Sequence, residues 1–203
     1  MTERLKQYRV FEGSELRIAP QADAEKRTIS GYAAKFNSES VEFYSWDGPF
    51  HELIMPGAFS KTLASGPDVR ALIDHNPSLI LGRTKAGTLR LKQDTVGLFC
   101  EIDPPDTQAA RDIITSMERG DVTQMSFGFY ITGEQWVKRS GQVFLEITEV
   151  ELFDVSIVTY PAYEETVVEV RAGAEKRWKE RKFELPSLPI DIYVKRQQLI
   201  ELQ

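Results

Sequence analysis

Between residues 124 and 131, Met125, Phe127, Phe129 and Ile131 alternate with Ser126, Gly128 and Tyr130. Side chains of a β-strand point to opposite faces with a period of two, so this stretch reads as a strand with one bulky apolar face. Such a face has to be covered by a second layer, which commits the chain to a packed sheet. The opposite face carries a small hydroxyl at Ser126, and Gly128 leaves room beside it. A serine there can be a nucleophile. A lone strand serine is ordinarily structural, so the reading rests on its neighbours.

The elements around this strand are mostly β. Thr28 to Phe36 reads as a strand, Val41 to Tyr44 as a short one, and Phe50 to Met55 as another, on whose edge His51 is expected as a structural histidine. Ala58 to Ser65 reads as a short helix ending before Gly66-Pro67. Val69 to Ile73 is a strand with Asp74-His75-Asn76-Pro77 at its end, a position from which His75 can face a cleft. Leu79 to Thr84 and Thr88 to Gln93 flank Lys85-Ala86-Gly87 and predict a hairpin. Gly97 to Asp103 is the next strand, with Cys100 read as a small hydrophobe rather than a nucleophile. Asp106 or Thr107 can cap a helix running through Arg119, with Ala110, Ile113, Ile114 and Met117 as its apolar stripe and Gly120 just past its end.

Beyond the Ser126 strand, Gly133 to Gly141 predicts a hairpin excursion containing Trp136, and Gln142 to Ile147 is extended again. Thr148 to Tyr160 reads as a long strand. Its parity puts Val150, Leu152, Asp154, Ser156 and Val158 on one face, and Glu149, Glu151, Phe153, Val155 and Ile157 on the other. Both faces turn apolar toward its end, so the strand is expected to be central. Asp154 is then a carboxylate in apolar surroundings that needs a partner: a histidine, an arginine or backbone amides. A bulge would reverse that parity.

Composition narrows the function. The 203 residues suffice for one cored domain, and a net charge of −6 argues against a nucleic-acid binder working through bulk electrostatics. One cysteine rules out an intrachain disulfide, and with two histidines no metal-ligand spacing is present, so no metal or cofactor is expected. No apolar run is long enough to span a membrane, and the charged first residues lack a signal-peptide pattern, which makes the cytoplasm the expected location. Ser, His and acid candidates on separate strands fit a serine hydrolase. The Gly-x-Ser-x-Gly elbow is absent, which disfavours an α/β-hydrolase or small-molecule esterase.

Five segments, in order, resemble the HK97-like prohead proteases of tailed bacteriophages. They are Ile54-Met55-Pro56-Gly57-Ala58-Phe59; Asp74-His75-Asn76-Pro77 with Leu81-Gly82-Arg83; Gly87-Thr88-Leu89; Gln124-Met125-Ser126-Phe127-Gly128-Phe129; and Phe153 through Ala162. The resemblance covers about residues 28–170. It implies a mainly β (α+β) fold related to herpesvirus assemblin, a closed or nearly closed β-barrel with surrounding helices. It implies a serine endopeptidase with Ser126 as nucleophile and His75 as base. The third member falls at Asp154, where the family often carries glutamate, with Glu151 and Glu149 as fallback acids. His51 lies outside the matching histidine motif. An arginine region after the nucleophile strand assists the oxyanion in related viral enzymes, and Lys138-Arg139 is the nearest basic pair here.

The resemblance further implies a substrate, the scaffold and major capsid protein precursor, cut inside the immature prohead in the host cytoplasm. Self-cleavage is expected to follow, and a homodimer is left open. On this reading residues 1–27 are an N-terminal extension, 28–170 the protease domain and 171–203 a charged C-terminal extension that trimming could remove. The alternatives are a catalytically inactive assembly or scaffold component, and a prophage-borne peptidase with a cellular target.

Overall fold

The computed structural model describes residues 5–11, 14–20, 27–40, 42–45 and 48–159. Their strands form two sheets and no closed barrel, which corrects the expectation of barrel closure. The larger sheet contains β1 (Gln7–Phe11), β4 (Phe43–Ser45), β5 (Gly48–Ile54), β6 (Arg70–Ile73), β7 (Asn76–Arg83), β10 (Gln124–Arg139) and β11 (Gln142–Val158). The smaller contains β2 (Arg17–Pro20), β3 (Arg27–Lys35), β8 (Leu89–Gln93) and β9 (Gly97–Ile102), ordered β2-β3-β9-β8. Met125, Phe127 and Phe129 of β10 share one buried core with Ile29 and Ala33 of β3 and with Leu98, Cys100 and Ile102 of β9. The apolar face of the 124–131 segment therefore lies where its alternation demands, between two layers. Burial pushes the Cys100 thiol up to about 12, as befits a packed hydrophobe.

The helix α2 (Gln108–Arg119) follows its sequence signals. Thr107 caps it by accepting the Ala110 N–H, and Gly120 ends it with φ of 82°. Ala110 and Ile113 are buried, with Ile114 and Met117 packed beside them. The short helix α1 (Ser60–Ala64) supports the sheet through Thr62, whose hydroxyl accepts the Leu152 N–H.

Two connections differ from expectation. The segments 79–84 and 88–93 do not form a hairpin with each other. β7 pairs with β6 and β8 pairs with β9, and a single 3-10 turn at Thr84–Ala86 carries the chain from one sheet to the other. The tight turn is instead Asp74-His75, two residues between paired strands with φ of 49° and 54°. Positive φ at both central positions matches the twist of a two-residue hairpin. Second, the excursion predicted at 133–141 is the outer half of one long hairpin. β10 pairs with β11 from Gln124↔Val158 to Arg139↔Gln142, closed by Ser140 and Gly141, again both at positive φ.

The segment read as an N-terminal extension supplies a strand to each sheet: β1 pairs antiparallel with β10, and β2 with β3. Between them Ser14 bridges the layers. Its hydroxyl accepts the Met125 N–H and its carbonyl the Tyr32 N–H. On β1, Arg9 forms a buried ion pair with Glu52 of β5, Nε to Oε2 at 2.5 Å. The C-terminal extension expected at 171–203 lies outside the described residues.

Two measurements test these anchors. Removing one partner of a buried ion pair strands the other, so Glu52→Ala is expected to lower unfolding free energy by about 3 kcal/mol in urea titrations. At the base of the β6–β7 hairpin, hydrogen bonds from Arg83 hold the Asp68 carboxyl down to about 2. With the folded-state value depressed below the ordinary 3.8, the stabilisation is present above pH 3.8 and is lost as pH falls toward 2. The stability difference between wild type and Asp68→Asn is expected to shrink across that window.

Candidate active site

The face of β10 opposite the core carries Ser126 and Gly128, and β11 lies beside it with Ser156 opposite Ser126 and Asp154 opposite Gly128. The next pair is Phe129 with Leu152, so Phe153 is an extra residue in β11. This bulge splits the parity read from the sequence. Asp154 and Ser156 lie on the Ser126 face. Leu152 and Val150 move across to join Val155 and Ile157 in the core. β11 is central, as expected, since β10 covers one edge while β5 and β6 pair in parallel along the other.

His75 enters from that second edge. β6 runs beside β11 until Ile73 meets Ile157, and the Asp74 N–H then donates to the Ile157 carbonyl. The Asp74 carboxylate accepts the Thr159 N–H at 2.8 Å. These contacts fix the turn, and the turn folds the imidazole back over β11. His75 Nε2 lies 2.7 Å from Ser126 Oγ, and His75 Nδ1 lies 2.6 Å from Asp154 Oδ1. Ser156 Oγ is 3.0 Å from the same Oδ1 and 3.1 Å from Nδ1. Residues from the turn and two adjacent strands thus make one hydrogen-bonded chain. A hydroxyl, an imidazole and a carboxylate in that order can move a proton off the hydroxyl and stabilise the resulting cation.

The chain of groups is enclosed. Ser126 and Ser156 have no exposed surface, and the His75 side chain is 15 % exposed. Tyr8 of β1 packs its ring 4.3 Å from the imidazole and meets Phe153 edge-on, and Phe153 in turn contacts Tyr130. Tyr8 was not legible as a site neighbour. The buried face of its strand holds Gln7 and Arg9, so the alternation that would announce a strand is polar where it should be apolar.

The other candidates are engaged elsewhere. Glu151 is exposed on β11, opposite Tyr130. Glu149 is bound by Lys61 and Thr132, and those hydrogen bonds hold its carboxyl below the usual range. His51 lies within β5 between β11 and β4, with Nδ1 3.1 Å from the Ser40 carbonyl. Lys138 and Arg139 sit at the far tip of the long hairpin, about 40 Å along the strand from Ser126, and Arg139 is paired with Glu146. They do not approach the Ser126 hydroxyl, against the sequence expectation. Among the described residues no cluster of three His, Cys, Asp or Glu side chains could hold a metal ion. No helix among them is long and apolar enough to cross a membrane.

Gly128 matters for space. A Cβ there would lie 2.5 Å from Asp154 Oδ2 and 2.5 Å from the Phe153 ring. Gly128→Ala is therefore expected to push the carboxylate off His75 and to cost about 1–3 kcal/mol of overpacking strain. A crystal structure of the variant with a urea titration checks both; an unmoved Asp154 would refute it.

A sequence search of curated proteins found no match. Among solved structures, the bacteriophage T4 capsid assembly protease matches with a TM-score of 0.52 at 8 % identity, over 79 % of this chain and all of that one, a likeness of fold. A family model for the caudovirus prohead serine proteases matches residues 14–180. Since that match spans most of the chain, including Ser126, His75 and Asp154, the protein belongs to the caudovirus prohead serine protease family.

Proposed function

We propose that this chain is an active serine endopeptidase of capsid maturation, with Ser126 as nucleophile, His75 as general base and Asp154 as the acid that orients it. One observation carries the reading: the hydrogen-bonded chain from Ser126 Oγ through His75 to Asp154, in a member of a prohead protease family. With its proton on Nδ1, His75 donates to Asp154 and accepts the Ser126 proton at Nε2. The Ser126 oxygen attacks a peptide carbonyl carbon. The imidazolium returns its proton to the leaving amine as the C–N bond breaks, and an ester remains on Ser126. Water, deprotonated by the same nitrogen, then hydrolyses that ester. Asp154 holds the productive tautomer and balances the cation while remaining ionised.

The substrates fitting this reading are the capsid precursor and its scaffold, cut inside the immature shell in the host cytoplasm. Cleavage of the enzyme's own chain after residue 171 belongs to the same reading. Ser126 is enclosed in the described conformation, so attack on a peptide requires an element beside the site to open.

Co-expression with the capsid precursor, wild type beside Ser126→Ala, followed by intact-mass analysis tests the proposal. Defined fragments are expected with wild type only. Uncut precursor in both, under conditions where shells assemble, would replace this reading with that of an inactive assembly component. Asp154→Asn is expected to lower kcat by a factor on the order of 10³–10⁴ by admitting the wrong tautomer, measured on the fragment-release rate.

A further inference from the structure

Ser156 stands at the junction of the site without a part in the proton path. Its hydroxyl contacts two members of the chain at once, Asp154 Oδ1 at 3.0 Å and His75 Nδ1 at 3.1 Å, and it has no exposed surface. Its place is set by register. It is two residues beyond Asp154 on the same face, directly across from Ser126 on β10 and beside Leu72 on β6. The imidazole therefore lies over it on the way from the turn to Ser126.

We infer that Ser156 is a positioning residue, which fixes the Asp154 carboxylate and through it the tautomer of His75. This rests on the triad reading above. The physical need is plain. The final torsion of an aspartate is broad, so a single hydrogen bond sets a distance but leaves the carboxylate plane free to turn. Among the described residues the side chains hydrogen-bonded to the Asp154 carboxylate are His75 and Ser156, and both engage the same oxygen. A Ser156 O–H donated to Oδ1 commits that oxygen to facing Nδ1. With its proton so placed, Ser156 turns lone pairs toward Nδ1, which favours a protonated Nδ1 and leaves Nε2 free to accept from Ser126. Oδ2 is kept on the other side, in the space left by the missing side chain of Gly128.

The test separates this role from packing. Ser156→Thr and Ser156→Val have nearly the same shape and differ in the hydroxyl. Ser156→Ala removes the hydroxyl with little change in volume. The rate of Ser126 modification by a fluorophosphonate probe is read by intact mass. The His75 Nδ1 proton is read by NMR of ¹⁵N-histidine-labelled protein, assigned against His51 by its loss in His75→Gln. Alanine and valine are expected to slow labelling about tenfold, the loss of one hydrogen bond to a charged group, and to broaden the Nδ1 proton signal by exchange. Threonine is expected to preserve both. An Nδ1 proton signal unchanged in Ser156→Ala, or threonine and valine variants behaving alike, would overturn the role. Wild type that resists the probe reports the enclosed state of Ser126, whose role the co-expression experiment decides, and the NMR comparison then decides Ser156.

Discussion

The register between β10 and β11 is the constraint on which the rest of this structure depends. It sets Ser126 opposite Ser156 and Gly128 opposite Asp154, and the extra residue at Phe153 breaks the two-residue period between Asp154 and Leu152. Without the bulge, Asp154 and Leu152 would share a face, and either a carboxylate would enter the core or a leucine would occupy the site. With it, one strand delivers apolar side chains to the core both before and after the bulge. It spares two polar ones for the opposite face. A slip of one residue would exchange every one of these assignments, so the apolar core on the far side is also what holds the polar geometry on the near side.

Against that fixed pair of strands, the histidine has to be supplied from elsewhere, and the structure uses a costly local conformation to do so. Asp74 and His75 both adopt positive φ, which side-chain-bearing residues seldom do. Aspartate and histidine tolerate it better than branched residues, and the turn is held from outside itself: Asp74 donates its N–H to Ile157 and accepts from Thr159. Both anchors lie at the end of β11, the strand that carries Asp154. The imidazole and its carboxylate partner are thus positioned by the same strand, one through its backbone and one directly.

Local signals predicted most of these elements, and the errors share a cause. Helix α2 was legible because its cap, stripe and terminal glycine are all local. The apolar face of β10 was legible from alternation alone. The hairpin assigned around Lys85-Ala86-Gly87 failed because a glycine-bearing connection does not say which strands it joins, and the pairing was decided by the turn at Asp74-His75, which contains no glycine. The parity reading put Asp154 and Leu152 on one face of β11, and the structure separates them, since nothing in Phe153 announces a bulge. β1 was invisible as a sheet strand because its inward residues are Gln7 and Arg9, made tolerable by Glu52 from a strand more than forty positions away. Pairings of that range have no local signature.

The likeness of fold to the T4 capsid assembly protease at 8 % identity fits the same logic. A parity pattern asks only that apolar residues fall on one face and small polar ones on the other, and many sequences meet that demand. The geometry constrains the residues with two duties more tightly. Gly128 is both a strand residue and the space for a carboxylate oxygen. Asp74 is both a turn residue and an anchor on β11. Ser156 is both a buried strand position and a contact of two ionisable groups. At each of these the site asks more than the sheet does, because the sheet needs only a face whereas the hydrogen-bonded chain needs particular atoms within about 3 Å of one another.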